Sequence, residues 1–117
     1  MNVMVIEDDP INLKLVCVVL NAEGHNVMSA ENRFEAIRTT RPDVLLLDLA
    51  LPGMSGLEMV RLLKQKEETR DIPIVAVTAY PDRWPRDTVL AQGCDAYLIK
   101  PVDIRRLVGQ LSSAVSR

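Results

Sequence analysis

The chain is poor in the residues that usually announce chemistry. Its only histidine, His25, falls in a predicted loop and reads as a surface residue. Its two cysteines carry no motif: Cys17 lies in the apolar part of a predicted helix and Cys94 just before a predicted strand. Such a pair is expected as buried thiols rather than as a disulfide. Charge is nearly balanced, with 14 basic and 16 acidic side chains and a net charge of -2, which gives no electrostatic case for binding nucleic acid or an anionic membrane. Protein partners are expected instead. The longest apolar run, Leu15 to Leu20, is far too short to span a bilayer, and Glu7 and Asp8 interrupt the N-terminus before a signal-peptide core could form. A cytoplasmic location is the default expectation. There is no repeat, linker or low-complexity stretch.

What remains is a globular composition, 48% hydrophobic and 26% charged in 117 residues. That length suits one domain, residues 1–117, able to bury roughly two-thirds of its unfolded surface around a single core. Apolar runs at residues 3–6, 26–29, 44–47, 73–77 and 96–99 read as strands, each separated by enough chain for a helix. Strands that are apolar throughout, rather than alternating, are buried on both faces, as in a parallel sheet. Right-handed crossovers then place helices on both faces of a doubly wound α/β sheet and open a crevice at the strand C-termini, where the strand order reverses. The expected fold is a five-stranded parallel sheet of order 2-1-3-4-5.

Helix boundaries follow from punctuation. Asp9-Pro10 caps and opens helix 1, with Ile11, Leu15, Val18, Val19 and Ala22 as its expected core stripe and Gly24 as its end. Helix 2 is short, with Ala30, Phe34 and Ile37 inward before Arg41-Pro42. Ser55-Gly56-Leu57-Glu58 fits a capping box for helix 3, whose inward residues are Leu57, Val60 and Leu63. Pro81 and Pro85 bracket Asp82-Arg83-Trp84, so helix 4 is expected to start near Pro85 and to end at Gly93. Trp84 has two readings: an exposed partner anchor, or a ring folded down onto helix 4. Helix 5 carries Ile104, Leu107, Val108, Leu111 and Val115 on one face and ends near Arg117.

Four of the five strands end in a polar group: Glu7-Asp8 after strand 1, Asp48 after Val44-Leu45-Leu46-Leu47, Thr78 after strand 4 and Lys100 after strand 5. Strand 2, which lacks such a tip, is the edge beside strand 1, so the four equipped strands are contiguous. Taken singly, each residue has a plain structural role. Asp8 or Asp9 suits a helix cap, Asp48 a turn, Thr78 a β-branched strand position, Lys100 a solvated end and Ser55 a cap. Taken together, they form a candidate site. Three carboxylates in one crevice repel one another and favour a proton or a hard divalent cation such as Mg²⁺. With the metal supplied, an aspartate can attack a phosphoryl group and form an aspartyl phosphate, steadied by the Lys100 ammonium and the Thr78 hydroxyl.

The spacing Glu7-Asp8, Asp48-x-x-Leu51-Pro52-Gly53-x-x-Gly56, Thr78-Ala79 and Lys100-Pro101 resembles the receiver domain of two-component response regulators, the CheY-like, flavodoxin-like fold, over essentially the whole chain. Asn12-Leu13-Lys14 and Gly93-Cys94-Asp95-Ala96-Tyr97 are most similar to stand-alone receivers of the DivK type. The resemblance implies that Asp48 is the phosphoacceptor, that Asp8 binds Mg²⁺ (or Mn²⁺) directly and Glu7 through water, and that Asp48 and the Ala50 carbonyl complete the protein ligands. It makes Thr78, Ala79 and Lys100 the phosphate-binding set, Thr78 and Tyr97 the switch pair, and Lys100-Pro101 a cis bond. The implied partners are a histidine kinase or histidine phosphotransfer protein, and a target protein read by helix 4, strand 5 and helix 5. No turnover of an external substrate is expected. Two positions depart from the commonest receiver residues: Ala50 offers no side chain to an attacking water, and Tyr80 is bulky, which is expected to lengthen the life of the phosphoryl group. Competing readings are a receiver module of a hybrid histidine kinase or longer regulator, an aspartate-nucleophile phosphatase, a flavin or nucleotide binder, and a phosphorylation-independent pseudo-receiver. The phosphatase would want an acid where Ala50 stands, and the nucleotide binder a Gly-rich loop where Glu7-Asp8-Asp9 stands. The intact acidic set argues against the pseudo-receiver.

Overall fold

The computed structural model describes residues 1–29 and 33–116, without the side chains of Arg33 and Ile104. The expected inward places of Ala30 and Ile104, and the terminal Arg117, lie outside what is described. Five strands, β1 (Asn2–Ile6), β2 (Asn26–Met28), β3 (Val44–Asp48), β4 (Ile74–Thr78) and β5 (Ala96–Ile99), alternate with five helices, α1 (Pro10–Ala22), α2 (Arg33–Thr40), α3 (Gly56–Gln65), α4 (Arg86–Ala91) and α5 (Ile104–Val115). The strands pair in parallel in the order β2-β1-β3-β4-β5, as the apolar runs require.

Alternation along each buried strand divides the core between the two sheet faces. Met4, Ile6, Leu45, Leu47, Ile74 and Ala76 pack with Ile37, Val60, Leu63 and Val89 of α2, α3 and α4. Val3, Val5, Val44, Leu46, Val75 and Val77 pack with Leu20 of α1 and Leu107, Leu111 and Ala114 of α5. Both faces being covered explains why β3 and β4 are buried along their whole length.

The helix starts are fixed by their caps. Asp9 accepts a hydrogen bond from the Ile11 N–H at 2.9 Å with Pro10 in the first turn, and the Ser55 hydroxyl accepts from the Glu58 N–H at 3.3 Å. Pro85 is the N-cap of α4, and Gly93, which follows that helix, takes a positive φ of 115°.

The inward face of α1 corrects the expected stripe. Ile11, Leu15 and Val18 are 77%, 51% and 57% exposed, and Ala22 is exposed too; Leu20 is fully buried, with Leu13 and Val16 packed against the core. The helix is apolar nearly all round, so its periodicity leaves the phase open, and contact with the sheet decides it. A smaller shift occurs in α5, where Ala114 is buried and Val115 is 39% exposed. Trp84, 6% exposed, folds inward with Val89 and Cys94 in the core instead of standing out as an anchor. Both cysteines are free thiols. Burial pushes the Cys94 thiol up to about 12.

Gly56 shows how closely the fold is drawn around the end of β3. A Cβ there would lie 2.6 Å from the Leu49 Cα and 2.7 Å from the Asp48 carbonyl oxygen, and its N–H donates to the Leu49 carbonyl at 2.8 Å. Neither clashing atom is a movable side-chain end. Gly56→Ala should therefore destabilise the protein by roughly 1–3 kcal/mol in urea denaturation; an unchanged midpoint would show that the backbone yields easily.

Candidate functional site

The register of the sheet brings the four polar strand ends to one rim in short steps. Ile6 pairs with Leu47, so the next residues, Glu7 and Asp48, lie side by side, and Asp48 itself pairs with Val77. Thr78 pairs with Ile99, which puts Lys100 next in line, and the Lys100 N–H donates to the Thr78 carbonyl at 2.8 Å. The Lys100–Pro101 peptide bond is cis.

Three side chains meet at this rim. The Lys100 ammonium donates to Glu7 Oε1 at 2.6 Å and to Asp48 Oδ2 at 2.9 Å, with the three side chains only 20%, 8% and 9% exposed. The other Asp48 oxygen, Oδ1, accepts from the Ala50 N–H at 3.0 Å. This fixes the carboxylate plane across the strand end. Thr78 is fully buried, and its hydroxyl oxygen accepts from the Tyr80 N–H at 2.9 Å. Asp8 lies exposed on the lip, with its N–H donating to Glu7 Oε2 at 3.1 Å. Ala79 and Tyr80 are exposed beside the crevice, and Tyr97 is buried behind it with its hydroxyl on the Trp84 carbonyl at 2.6 Å. Among the described residues, no three His, Cys, Asp or Glu side chains are grouped so as to hold a metal ion. The Glu7–Asp48 pair instead shares the Lys100 ammonium.

One ammonium cannot fully compensate two crowded carboxylates. Burial, and next the neighbouring Asp48 carboxylate, push Glu7 up to about 7 against the pull of Lys100. Burial acts in the same sense on Asp48, but hydrogen bonds from Glu7, the Ala50 N–H and Lys100 outweigh it and hold Asp48 below its ordinary value. Lys100 is raised: burial opposes its charge, and the two carboxylates more than restore it. The pair thus splits into a protonatable Glu7 and a persistently ionised Asp48, the division that like-charge neighbours enforce.

Besides the Glu7–Lys100 contact, sequence reasoning missed two features. A cavity of about 370 Å³ reaches Asp48 from the side of α1 and α5, lined by Val5, Leu46, Val77, Val16 and Leu107 with Glu7, Asn12 and Lys100 near its polar end. Its walls come from three strands and two helices that only the assembled fold brings together, which no spacing rule announces. The second is the Trp84 carbonyl as the partner of Tyr97, a backbone group invisible to motif reading.

Residues 3–112 match the response regulator receiver domain family, and the chain belongs to it. It is 36% identical over 115 residues to the polar-differentiation response regulator DivK of Brucella anthropi, covering 96% of this chain and 94% of that one, and equally so to the DivK of Brucella ovis. Among solved structures, a Chloroflexus aurantiacus protein superposes with a TM-score of 0.92 at 27% identity over 99% of this chain and 98% of that one. The receiver domain of the sensor histidine kinase PA1611 from Pseudomonas aeruginosa, crystallised with a magnesium ion in its active-site cleft, gives 0.85 at 28% identity over the same shares. This is accordingly a receiver domain of two-component signalling, a signalling protein rather than a classical enzyme. Among the described residues no helix is long and apolar enough to cross a membrane.

The raised Glu7 sets a sign for pH dependence. Between its ordinary value of 4.5 and about 7 the folded state binds more protons at Glu7 than the unfolded state does, so this group's stabilising contribution is complete below 4.5 and is lost as pH rises through about 7. In metal-free buffer the thermal midpoint should fall from pH 5 to pH 8, and Glu7→Gln should flatten that slope. A slope that survives in Glu7→Gln would place the titrating group elsewhere.

Proposed function

We propose that Asp48 accepts a phosphoryl group from a phosphohistidine of a histidine kinase or histidine phosphotransfer protein. An Asp48 carboxylate oxygen attacks phosphorus, the phosphorus–nitrogen bond breaks, and the donor imidazole leaves with the bonding pair, giving an acyl phosphate. The observation that carries this is the ionised, nearly buried Asp48 held 2.9 Å from the Lys100 ammonium at the tip of a fully buried strand. A rigid strand end presents the nucleophile, and Lys100 is already placed to follow the negative charge as it moves onto the phosphoryl oxygens.

The crowding that raises Glu7 fits a hard cation. Mg²⁺, or Mn²⁺ in its place, neutralises phosphoryl and carboxylate oxygens when bound. The residues that would hold it are Asp8, Asp48 and the Ala50 carbonyl, with Glu7 through water. The magnesium in the cleft of the PA1611 receiver supports the same choice of ion. Glu7 and Asp48 would then exchange part of their contact with Lys100 for the ion, freeing the ammonium for the phosphoryl group.

Thr78 and Tyr97 serve as the switch pair, with Ala79 leaving room beside the Thr78 hydroxyl. The readout face comprises α4, β5 and α5, where a groove of about 490 Å³ is lined by Pro81, Pro85, Arg86, Tyr97, Ile99 and Arg106. Ile99, half exposed at its floor, offers a target protein an apolar contact. Tyr80, 57% exposed near Thr78, shields the phosphoryl group from in-line water, a role helped by the bare Ala50. The phosphatase reading is not favoured, since Ala50 occupies the place of its second acid.

Treating the protein with acetyl phosphate and Mg²⁺ and following intact mass tests this reading. One phosphoryl group should appear on the wild type and none on Asp48→Ala, and after donor removal the adduct should decay several-fold faster in Tyr80→Ala. A phosphorylated Asp48→Ala would overturn the assignment of the acceptor, and equal decay would remove the shielding role.

A further inference from the structure

The loop between β4 and α4 joins the two members of the switch pair by an unbroken hydrogen-bonded path. The Thr78 hydroxyl oxygen accepts from the Tyr80 N–H at 2.9 Å, and the Tyr80 carbonyl accepts from the N–H groups of Arg83 and Trp84, both at 3.1 Å. The Trp84 carbonyl then accepts from the Tyr97 hydroxyl at 2.6 Å, in a buried contact. Side chains hold this path from outside. The Arg83 guanidinium lies 4.5 Å from the centroid of the Trp84 ring, and the Tyr80 ring meets the Trp84 ring edge-on at 6.4 Å and 61°. Pro81 and Pro85 restrict the backbone at both ends of the turn.

The Trp84 carbonyl thus has an anchor besides Tyr97. The Trp84 ring is buried to 6% exposure in the core, with Arg83 and Tyr80 against it. The loop presents a fixed acceptor in the interior, and a tyrosine hydroxyl that enters satisfies it without further rearrangement. In this conformation the Thr78 hydroxyl oxygen is engaged by the loop, and Tyr97 is already inward, 8% exposed.

We propose that Trp84 is a positioning residue that latches Tyr97 in its buried place whether or not Asp48 carries a phosphoryl group. The α4-β5-α5 groove, whose wall includes Tyr97, is then preset by the loop, and phosphorylation reaches that face through Thr78 and the Tyr80 end of the same path. This rests on the proposed function and narrows its switch pair: Thr78 is the member that moves on phosphorylation, and Tyr97 keeps its buried place.

The chain has two tyrosines, Tyr80 and Tyr97, which makes the latch directly observable. Protein labelled with 3-fluorotyrosine gives two fluorine resonances, assigned with Tyr97→Phe, and a neutral gadolinium chelate broadens whichever ring meets water. In the wild type the Tyr97 line should be broadened about tenfold less than the Tyr80 line, both before and after acetyl phosphate and Mg²⁺. In Trp84→Ala the Tyr97 line should broaden like the Tyr80 line before donor and regain protection after it. A wild-type Tyr97 line that is protected only after donor, or a Trp84→Ala line as protected as the wild type before donor, would overturn the latch. If Trp84→Ala does not fold, the donor-free wild-type spectrum decides alone. Intact mass on the same samples separates the two levels: a wild type that takes up no phosphoryl group sinks the receiver chemistry while leaving the donor-free comparison to judge the latch.

Discussion

A single ammonium at the end of β5 holds two carboxylates from β1 and β3, and the rest of the site is arranged around that contact. Lys100 lies within hydrogen-bond reach of both Glu7 and Asp48, all three largely withdrawn from water. Low surrounding polarity strengthens the attraction and makes any uncompensated charge costly. The cluster consequently divides its charge unequally, with Glu7 moved toward protonation and Asp48 kept ionised. That division suits a nucleophile that must stay unprotonated beside a second acid able to exchange its proton for a metal ion.

The sheet supplies the geometry at little conformational cost. Parallel register sets Glu7 beside Asp48, Thr78 one residue further along and Lys100 one residue beyond Thr78, and the Gly56 contact with the Leu49 and Asp48 backbone closes the turn behind Asp48. Two separate apolar clusters, one on each face, keep β3 and β4 buried, so the site stands at the end of the fold's buried core. Tyr80, Trp84 and the Lys100–Pro101 turn lie instead in the connecting loops.

Much of this was legible in the residues. Unbroken apolar runs such as Val44-Leu45-Leu46-Leu47 identify buried parallel strands, and Asp9-Pro10, Ser55 and Pro85 mark helix starts that the caps bear out. The family is carried by the spacing of Asp48, Thr78 and Lys100 and is matched over residues 3–112. The phase of α1 was not legible, because Ile11, Leu15 and Val18 are as apolar as the residues that face the sheet. The Glu7–Lys100 contact was not legible either, since it joins residues 93 apart through geometry that only the assembled sheet provides. Trp84 could be read either outward or inward from sequence, and core packing resolves it by giving the ring a pocket and its carbonyl a tyrosine.

The most direct measurement of the central contact is a carbon-13 titration of the Glu7 and Asp48 carboxyl groups in metal-free, unphosphorylated protein. Burial and the neighbouring Asp48 carboxylate, outweighing the pull of Lys100, predict a midpoint for Glu7 of about 7, while the hydrogen bonds to Asp48 predict that it titrates below its ordinary value. If both carboxyls titrate together in the usual range, and Lys100→Met leaves them unmoved, the two acids do not share a buried cation and the account of the site fails.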